Sequence, residues 1–205
     1  MTDTQPEHPM SPPDSSRTRI RDAACEEFAA VGYAGARVDA IARRAGCNKQ
    51  LIYHYYGDKN GLFEAVATEI LSDRPPMNVT SPQDLGSNLE AAYDHIASKR
   101  AWTRMMMWEA LSDDPTQPVV AEAARRAHFT VVSEEMRQLQ EVGIFDRAIC
   151  PRLILFTAMA LLVAPFQMPH LLRLVTGNRA EDPDFRRPYL ALVTRMLAAL
   201  GPPRP

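Results

Sequence analysis

Apolar residues recur at the spacing of an α-helix in two short segments of the first third of the chain. The recurring positions are Val38, Ile41, Ala42, Ala45, Ile52 and Tyr56. Between the two segments, Gly46 suits the left-handed backbone that ends a helix, and Asn48 suits the cap of the next one. The pattern predicts two short helices that share a small core and are joined by a tight turn.

The second of these helices, residues 48–56, has the composition of a helix that enters the major groove of DNA. A tight turn containing glycine places it across the first helix, which is the geometry of a helix-turn-helix. Its outer side offers hydrogen-bond donors and aromatic hydroxyls, and no carboxylate that would repel phosphate. The candidate DNA contacts are Arg37, Asn48, Lys49, Gln50, Leu51, Tyr53, His54, Tyr55 and Lys59. Lys59, which begins the next helix after the cap residue Asp58, is the strongest phosphate candidate.

The charge distribution favours a nucleic-acid partner for the N-terminal third alone. The chain has 205 residues and a formal net charge of −2, yet residues 16–60 hold eight Lys or Arg against five Asp or Glu, a balance of +3. This asymmetry would turn the N-terminal end towards DNA. We therefore predict a DNA-binding domain over residues 16–62, preceded by a tail over 1–15. The remainder, 63–205, is predicted to be an effector-binding and dimerisation domain because of its apolar segments, not its charge.

The N-terminal tail and the cysteines limit which cellular compartment and which cysteine chemistry are expected. The first fifteen residues contain four prolines and no apolar run, so they predict a disordered tail without a signal peptide. Cys25, Cys47 and Cys150 are an odd number without C-x-x-C spacing. They favour neither a disulfide framework nor a zinc site, so a cytoplasmic protein without metal or cofactor is expected.

Beyond residue 59 the chain consists of helical patterns separated by proline and glycine, with no alternating strand pattern. The expected fold is therefore all-α throughout. Caps and breakers place helices at 59–72, 82–98, 101–111, 119–142, 153–175 and 183–200. Ser81 is expected to cap the second of these, residues 112–115 to stop the third, and Gly143 to end the fourth.

The segment 153–175 is the most apolar part of the chain. Its run of seventeen residues, 153–169, is shorter than the roughly twenty that cross a membrane, and Pro165 interrupts it. It therefore predicts a buried helix and no membrane contact. A second subunit is expected to cover this helix and the last helix with its own copies of the same two helices. The candidate interface residues are Leu155, Leu161, Leu162, Leu190, Val193 and Leu197.

Large, deformable side chains cluster in the later helices, as in an adaptable apolar cavity. The candidates for contact with a small molecule are Tyr93, Trp102, Met105, Met106, Trp108, Phe129, Phe156, Met159, Phe166 and Met168. The same residue types at helical spacing are also typical of an ordinary core, and that alternative stays open. Arg104, His95 and His128 are candidates for orienting a polar group of the ligand.

About fifty residues, in order and spacing, resemble the TetR family of one-component transcriptional regulators. The positions that carry the resemblance are Ile20-Arg21-Asp22-Ala23-Ala24, Phe28, Gly32-Tyr33, Val38, Ile41-Ala42, Ala45-Gly46, Ile52-Tyr53, Tyr56, Lys59, Leu62 and Phe63. Glu27, Arg37 and Leu51 depart from the residues usual in the family. Leu51 puts base preference in doubt, because it would contact a thymine methyl where a Thr would offer a hydroxyl.

The resemblance implies a homodimer that binds a palindromic operator in double-stranded DNA and is released by a small, largely hydrophobic effector, hence a repressor. The alternative is a helical protein-interaction module with a degenerate DNA-binding surface. An enzyme is not expected, because the chain lacks H-E-x-x-H, G-x-S-x-G and a phosphate-binding glycine loop. The neighbours Asp94 and His95 would point about 100° apart on a helix and cannot work as a pair.

Overall fold

The computed structural model describes residues 13–111 and 119–203, and within these ranges the chain is all-α. The helices are α1 (Pro13–Gly35), α2 (Val38–Ala45), α3 (Lys49–Tyr56), α4 (Lys59–Ser72), α5 (Leu85–Ser98), α6 (Arg100–Ala110), α7 (Glu122–Glu141), α8 (Pro151–Gln167), α9 (Pro169–Thr176) and α10 (Pro183–Ala198), with one turn of 3-10 helix, Pro82–Asp84, before α5. The predicted fold class is confirmed for the part of the chain described.

Helix starts agree with the prediction where a polar cap marks them. The Asn48 side chain accepts a hydrogen bond from the Leu51 amide at 2.8 Å, which caps α3. The Asp58 carboxylate does the same for α4, and Ser81 and Asp84 form a reciprocal capping box before α5. These caps satisfy amide groups that have no partner within their own helix.

Two expected features fall wholly or mostly outside the described residues. The stop predicted at 112–115 lies there, and so does most of the tail predicted for 1–15. Helix α1 begins at Pro13, within that tail.

Helices α1 to α4 enclose one hydrophobic core, called here the first core. Phe28, Ile41, Ile52 and Leu62 are fully buried in it. Gly46 adopts the left-handed conformation, with φ 64°, and turns the chain between α2 and α3. Because Ile52 is the only residue of α3 that is fully buried, α3 lies at the edge of the first core with its other side open.

Helices α5, α7, α8 and α10 enclose a second core. Tyr93, Ile154, Val193 and Leu197 are at most 1% exposed there. The Tyr93 hydroxyl donates to the Ala180 carbonyl at 2.9 Å, so its one polar atom is paired. Burial raises the pKa of this phenol to about 12, and the group stays neutral over the physiological range.

Helix α6 belongs to both parts of the molecule. Met105 is buried in the first core, whereas Trp102 and Met106 line a cavity bounded by the C-terminal helices. Trp102 and Met106 also pack against the first core, so this stretch of α6 lies between the first core and the cavity.

Helix α1 is kinked at Gly32, which has φ 72° and ψ 171°, a combination essentially restricted to glycine. A Cβ atom at this position would lie 3.1 Å from Cβ and Cγ of Trp108 on α6. The Trp108 indole also donates to the Ala29 carbonyl at 3.3 Å. The kink therefore provides the surface on which α6 rests.

The prediction of one continuous helix over 153–175 is wrong. The helix breaks at Met168, and α8 and α9 are bent by 82°, because Pro169 has no amide proton to continue the ladder and restricts the preceding residue. Within one subunit α8 is only partly buried, since Leu153 and Phe156 are 60% and 71% exposed, and the predicted cover by a second subunit stays a prediction.

We predict that Gly32→Ala destabilises the protein more than Gly143→Ala. Both glycines have positive φ, but a Cβ at Gly143 would meet nothing within 4 Å, so that variant measures backbone strain of roughly 1–2 kcal/mol alone. Gly32→Ala adds the collision with Trp108. Urea unfolding of both variants measures the difference. Trp108→Ala, which removes Cγ and Cδ2 from this contact, should cost less stability in the Gly32→Ala background than in the unsubstituted protein; strictly additive effects would contradict this explanation.

Candidate nucleic-acid interface and ligand cavity

The outer face of α3 presents three polar or aromatic side chains to solvent. Gln50, Tyr53 and His54 are exposed, and Tyr53 keeps 41% of its surface accessible. The rigid start of α3 at Asn48 and the buried Ile52 fix the direction in which these side chains point. Arg37, at the start of α2, is also exposed. These residues form the part of the predicted DNA-contact set that is free to meet a partner.

Lys49 is held by a neighbouring helix. Its ammonium group lies 3.1 Å from the Asp39 carboxylate of α2 and 5.8 Å from the centre of the Tyr53 ring. The hydrogen bond to Asp39 is the main cause that raises the pKa of Lys49. Lys49 is thus a positioned cation at the edge of the exposed face.

The structure corrects the prediction that Tyr55 lies on the outer face of α3. Tyr55 is half-buried and packs, together with Leu51, against the first core. The guanidinium of Arg17 lies 4.8 Å from the centre of the Tyr55 ring. Tyr56 joins the same contact, because its hydroxyl donates to the Arg17 carbonyl at 3.1 Å. Tyr55 and Tyr56 therefore attach α3 to the start of α1, since positions three and four residues after the buried Ile52 share its face of the helix.

Lys59 has a structural role that its sequence position does not indicate. Its ammonium group donates to the carbonyl oxygens of Tyr33 and Ala36 at 2.9 and 3.3 Å, and it lies 4.5 Å from the centre of the Tyr33 ring. It thereby closes the C-terminal end of α1, where a cation is favourable. Two of its three donors are used, which leaves one for the predicted phosphate contact.

We predict that Lys59→Met lowers the free energy of unfolding by about 2 kcal/mol, the range for hydrogen bonds to a charged group. Lys49→Met is the matched control, because its partner Asp39 is exposed and surface pairs contribute little. Thermal and urea unfolding of both variants test this. Equal stability of the two variants would show that Lys59 does not hold α1.

A cavity of about 650 Å³ lies between α5, α6, α7 and α8, beside the end of α4. Five of the predicted ligand contacts line it, namely Trp102, Met106, Phe129, Phe156 and Met159. Its volume falls in the range of sites for drug-sized molecules, about 300–1,000 Å³. The predicted ligand contacts are therefore partly brought together.

The other predicted ligand contacts lie elsewhere, which is a correction. Tyr93 and Phe166 pack on each other in the second core, with ring centres 4.9 Å apart. Met105 is buried in the first core, Trp108 rests on α1, and Met168 is 49% exposed at the break after α8. Large apolar residues at helical spacing fill cores as readily as cavities, and the pattern alone does not separate the two.

The basic side chains that line the cavity are His95, His128, Arg74, Lys99 and Arg125, beside the neutral polar residues Asn88, Thr103 and Gln167. Burial lowers the pKa of both histidines, with Lys99 as the second cause for His95 and Arg74 for His128. The histidines match the candidates for orienting a ligand, whereas the third candidate, Arg104, is exposed and does not line the cavity.

Arg125 is the functional candidate that the sequence reasoning missed. It begins a stripe along α7, spaced at i, i+3, i+4, i+7 and i+11, which faces the cavity. The stripe consists of Arg125, His128, Phe129, Val132 and Met136. This spacing is readable in the sequence and would have identified the face.

The predicted dimer contacts are also corrected. Leu162, Leu190, Val193 and Leu197 are at most 3% exposed and belong to the second core of the same subunit, and Leu155 and Leu161 are half-buried against it. The apolar residues that α8 and α10 leave exposed are Leu153, Phe156, Leu192 and Met196. Both helices have two apolar faces, and the prediction chose the inner one.

Other chemistry finds little support in the part of the chain described. No three His, Cys, Asp or Glu side chains there could hold a metal ion. Asp94 pairs with Arg186 at 2.8 Å rather than with His95. No single helix in those ranges is long and apolar enough to cross a membrane; α8 and α9 would pass only as a pair, across their sharp bend.

Comparison with known proteins agrees with this geometry. Residues 20–66 match the model of bacterial regulatory proteins of the tetR family, and residues 84–195 match the tetracyclin repressor-like C-terminal domain. The HTH-type transcriptional repressor SCO4008 of Streptomyces coelicolor is 31% identical over 185 residues, covering 90% of this chain and 96% of that protein. The HTH-type transcriptional regulator BetI of Escherichia coli is 30% identical over 146 residues, covering 62% and 74%. The crystal structure of SCO4942 of Streptomyces coelicolor has a TM-score of 0.68 at 27% identity, covering 93% of this chain and 99% of that one.

An N-terminal helix-turn-helix joined to a helical domain with a cavity defines a ligand-responsive, DNA-binding transcriptional regulator. The chain belongs to the TetR family of bacterial regulators, since one family model matches more than half of it and a repressor relative is aligned along nearly its whole length.

Proposed function

We propose that the protein is a cytoplasmic repressor that binds a palindromic operator as a homodimer and releases it when a small, largely apolar molecule fills the cavity. The observation that carries the proposal is the rigid outer face of α3, where Gln50, Tyr53 and His54 point outward from a capped and packed helix. A helix of this kind fits the major groove and can reach base edges.

The exposed polar residues suggest a division between base contacts and phosphate contacts. Gln50 is positioned on the outer face of α3, and its amide can form a bidentate pair with adenine. Arg37 precedes α2 and Arg43 lies in its last turn, on the rim of the helix-turn-helix, where a cation would meet phosphates. The ammonium group of Lys49, which already contacts Asp39, would bind both base edges and phosphates.

A second copy is needed because one helix-turn-helix makes too few contacts for tight binding. The apolar surface left open on α8 and α10 supports a twofold interface of these two helices. Leu153 and Phe156 are 60% and 71% exposed, and Leu192 and Met196 are 44% and 48% exposed. In a closed dimer, each subunit would cover this apolar surface of the other with its own equivalent surface.

Helix α6 supports a route from the cavity to the DNA-binding helices. A ligand that displaces Trp102 or Met106 moves α6, and Trp108 on the same helix rests on the kink of α1. The ion pairs Arg21–Glu69 and Lys99–Asp73 attach α4 to α1 and to the end of α5. A change in α6 would therefore alter the distance between the two DNA-binding units of a dimer.

Selection from a random library of duplex DNA at moderate salt is expected to enrich a palindrome with half-sites spaced by about one helical turn or a multiple. Gln50→Ala should change base preference at one or two positions per half-site and leave the salt dependence unchanged. Arg37→Ala should lower the salt slope by about one unit without changing the preferred sequence.

Failure to enrich any palindrome would instead favour a helical interaction module with a degenerate DNA-binding surface. Equal effects of the two substitutions on all sequences would contradict the division between base and phosphate contacts.

Leu192→Asp is expected to convert the dimer to a monomer, because it would bury an unpaired charge in the proposed interface. Light scattering measures the mass, and operator affinity should fall by about a hundredfold with the loss of the second DNA-binding unit. Val131→Asp is the control, since Val131 is 59% exposed and belongs to α7, which is not one of the two helices of the proposed interface. A dimer that survives Leu192→Asp would refute this interface.

A further inference from the structure

The cavity combines an apolar wall with basic side chains and excludes acidic ones. Its described lining contains no Asp or Glu, whereas Arg74, Lys99 and Arg125 all contribute to it. Their carboxylate partners, Glu135, Asp73 and Glu109, stand outside that lining. The cations thus face the cavity with their counterions behind them.

Arg125 is the cation best placed to bind a ligand. Its side chain is 15% exposed, and Nη1 donates to both oxygens of Glu109 at 2.8 and 3.0 Å. Nη2 lies 3.0 Å from the sulfur of Met106, and the guanidinium lies 5.5 Å from the centre of the Trp102 ring. A thioether is a weak acceptor, so within the described residues Nη2 lacks an oxygen partner.

The position of Arg125 in its stripe defines which end of a ligand it would meet. His128 follows one turn later, and Phe129, Val132 and Met136 continue the face with apolar atoms. A ligand lying along α7 would therefore meet Arg125 at the end near α6 and the apolar atoms of Phe129, Val132 and Met136 beyond it, while Arg74, paired with Glu135 of α7, adds a second cation to the cavity wall. A ligand with a cationic end would lose the water around that charge and would find no carboxylate among the described residues that line the cavity.

We propose that the effector is an elongated apolar molecule that ends in a hydrogen-bond-accepting oxygen, a carboxylate in preference, bound by Nη2 of Arg125, and that the cavity discriminates against organic cations. The proposal rests on the proposed function, because it names the class of molecule that the regulator would sense. The carboxylate accepts from Nη2 in place of the Met106 sulfur, and the chain lies along Phe129, Val132 and Met136.

One buried oxygen could reverse this preference. Oε2 of Glu135 is buried and has no hydrogen-bond partner within the described residues, although the other oxygen of this carboxylate pairs with Arg74. A cation that reached Glu135 would be stabilised there. The experiment therefore compares ligands of opposite charge directly.

Three probes with the same hydrocarbon chain separate the alternatives, namely decanoate, 1-decanol and decyltrimethylammonium. The protein has two tryptophans, and Trp102 lines the cavity whereas Trp108 does not. In the Trp108→Phe variant, quenching of Trp102 fluorescence therefore reports occupancy of the cavity. We expect decanoate to bind at least about tenfold more tightly than decyltrimethylammonium, the effect of one charge-assisted hydrogen bond.

Substitutions in the same background identify the residue responsible. Arg125→Gln should weaken decanoate about tenfold and change 1-decanol little. Glu109→Gln should tighten decanoate, because it frees Arg125; a merely structural role of the pair would weaken all probes in both variants. Arg126→Gln, which removes an exposed arginine on the same helix, is the control. If Arg125→Gln does not fold because Glu109 has lost its partner, the double variant Glu109→Gln/Arg125→Gln takes its place in the comparison.

Tighter binding of decyltrimethylammonium than of decanoate, an unchanged affinity for decanoate in Arg125→Gln, or no binding of any probe would each overturn the proposal. Operator binding is assayed by library selection on the protein that retains Trp108, with and without each substitution. If the protein still selects the operator but the probes bind in a different order of affinity, only the proposed class of ligand is refuted. Loss of the palindrome with the expected ligand order refutes the proposed function alone.

Discussion

The packing of α6 against α1 is the contact on which both halves of the molecule depend. Trp108 lies over the kink at Gly32 and pairs with the Ala29 carbonyl, while Met105 completes the first core. Trp102, which also packs against the first core, lines the cavity. Protein interiors are close-packed, so a helix wedged between a core and a cavity cannot shift on one side alone. The geometry of the DNA-binding helices and the content of the cavity are therefore linked through a single rigid element.

Ion pairs and charged hydrogen bonds around α6 define position more than they add stability. Lys59 closes the end of α1 through the Tyr33 carbonyl, and Arg125 ties α7 to Glu109 on α6. Partly buried pairs of this kind recover little more than the cost of removing the charges from water. Their directional hydrogen bonds nevertheless select one arrangement of the helices. This is the property that a switch requires, because a partner that competes for one such bond changes the preferred arrangement.

Features that depend on residues within four positions of each other could be predicted from the sequence, and those that depend on tertiary contacts could not. The caps at Asn48 and Asp58 were predictable because donor and acceptor lie in one turn. Leu190 was assigned to the interface and lies in the core, because α10 has apolar residues on both faces and periodicity does not say which face turns inward. The partners of Lys59 lie 23 and 26 residues away along the chain, beyond any local pattern. The break at Met168 follows from Pro169, a local signal that the prediction of one helix over 153–175 did not use.

The free energy needed to shift the protein between its two states determines how large a change in ligand contacts α6 has to produce. Moving a two-state equilibrium from 1:99 to 99:1 requires a preference of about 10⁴-fold, or about 5.5 kcal/mol, for one state. In the proposed homodimer two ligands share this requirement, so each cavity has to distinguish the two arrangements by about a hundredfold, or about 2.7 kcal/mol. One charge-assisted hydrogen bond at Arg125, about 1.5–3 kcal/mol, together with apolar contact at Trp102 that is made in only one arrangement, reaches that value. A rigid shift of α6 that presents these groups to the ligand in one state and withdraws them in the other is therefore sufficient, and no helix has to unfold.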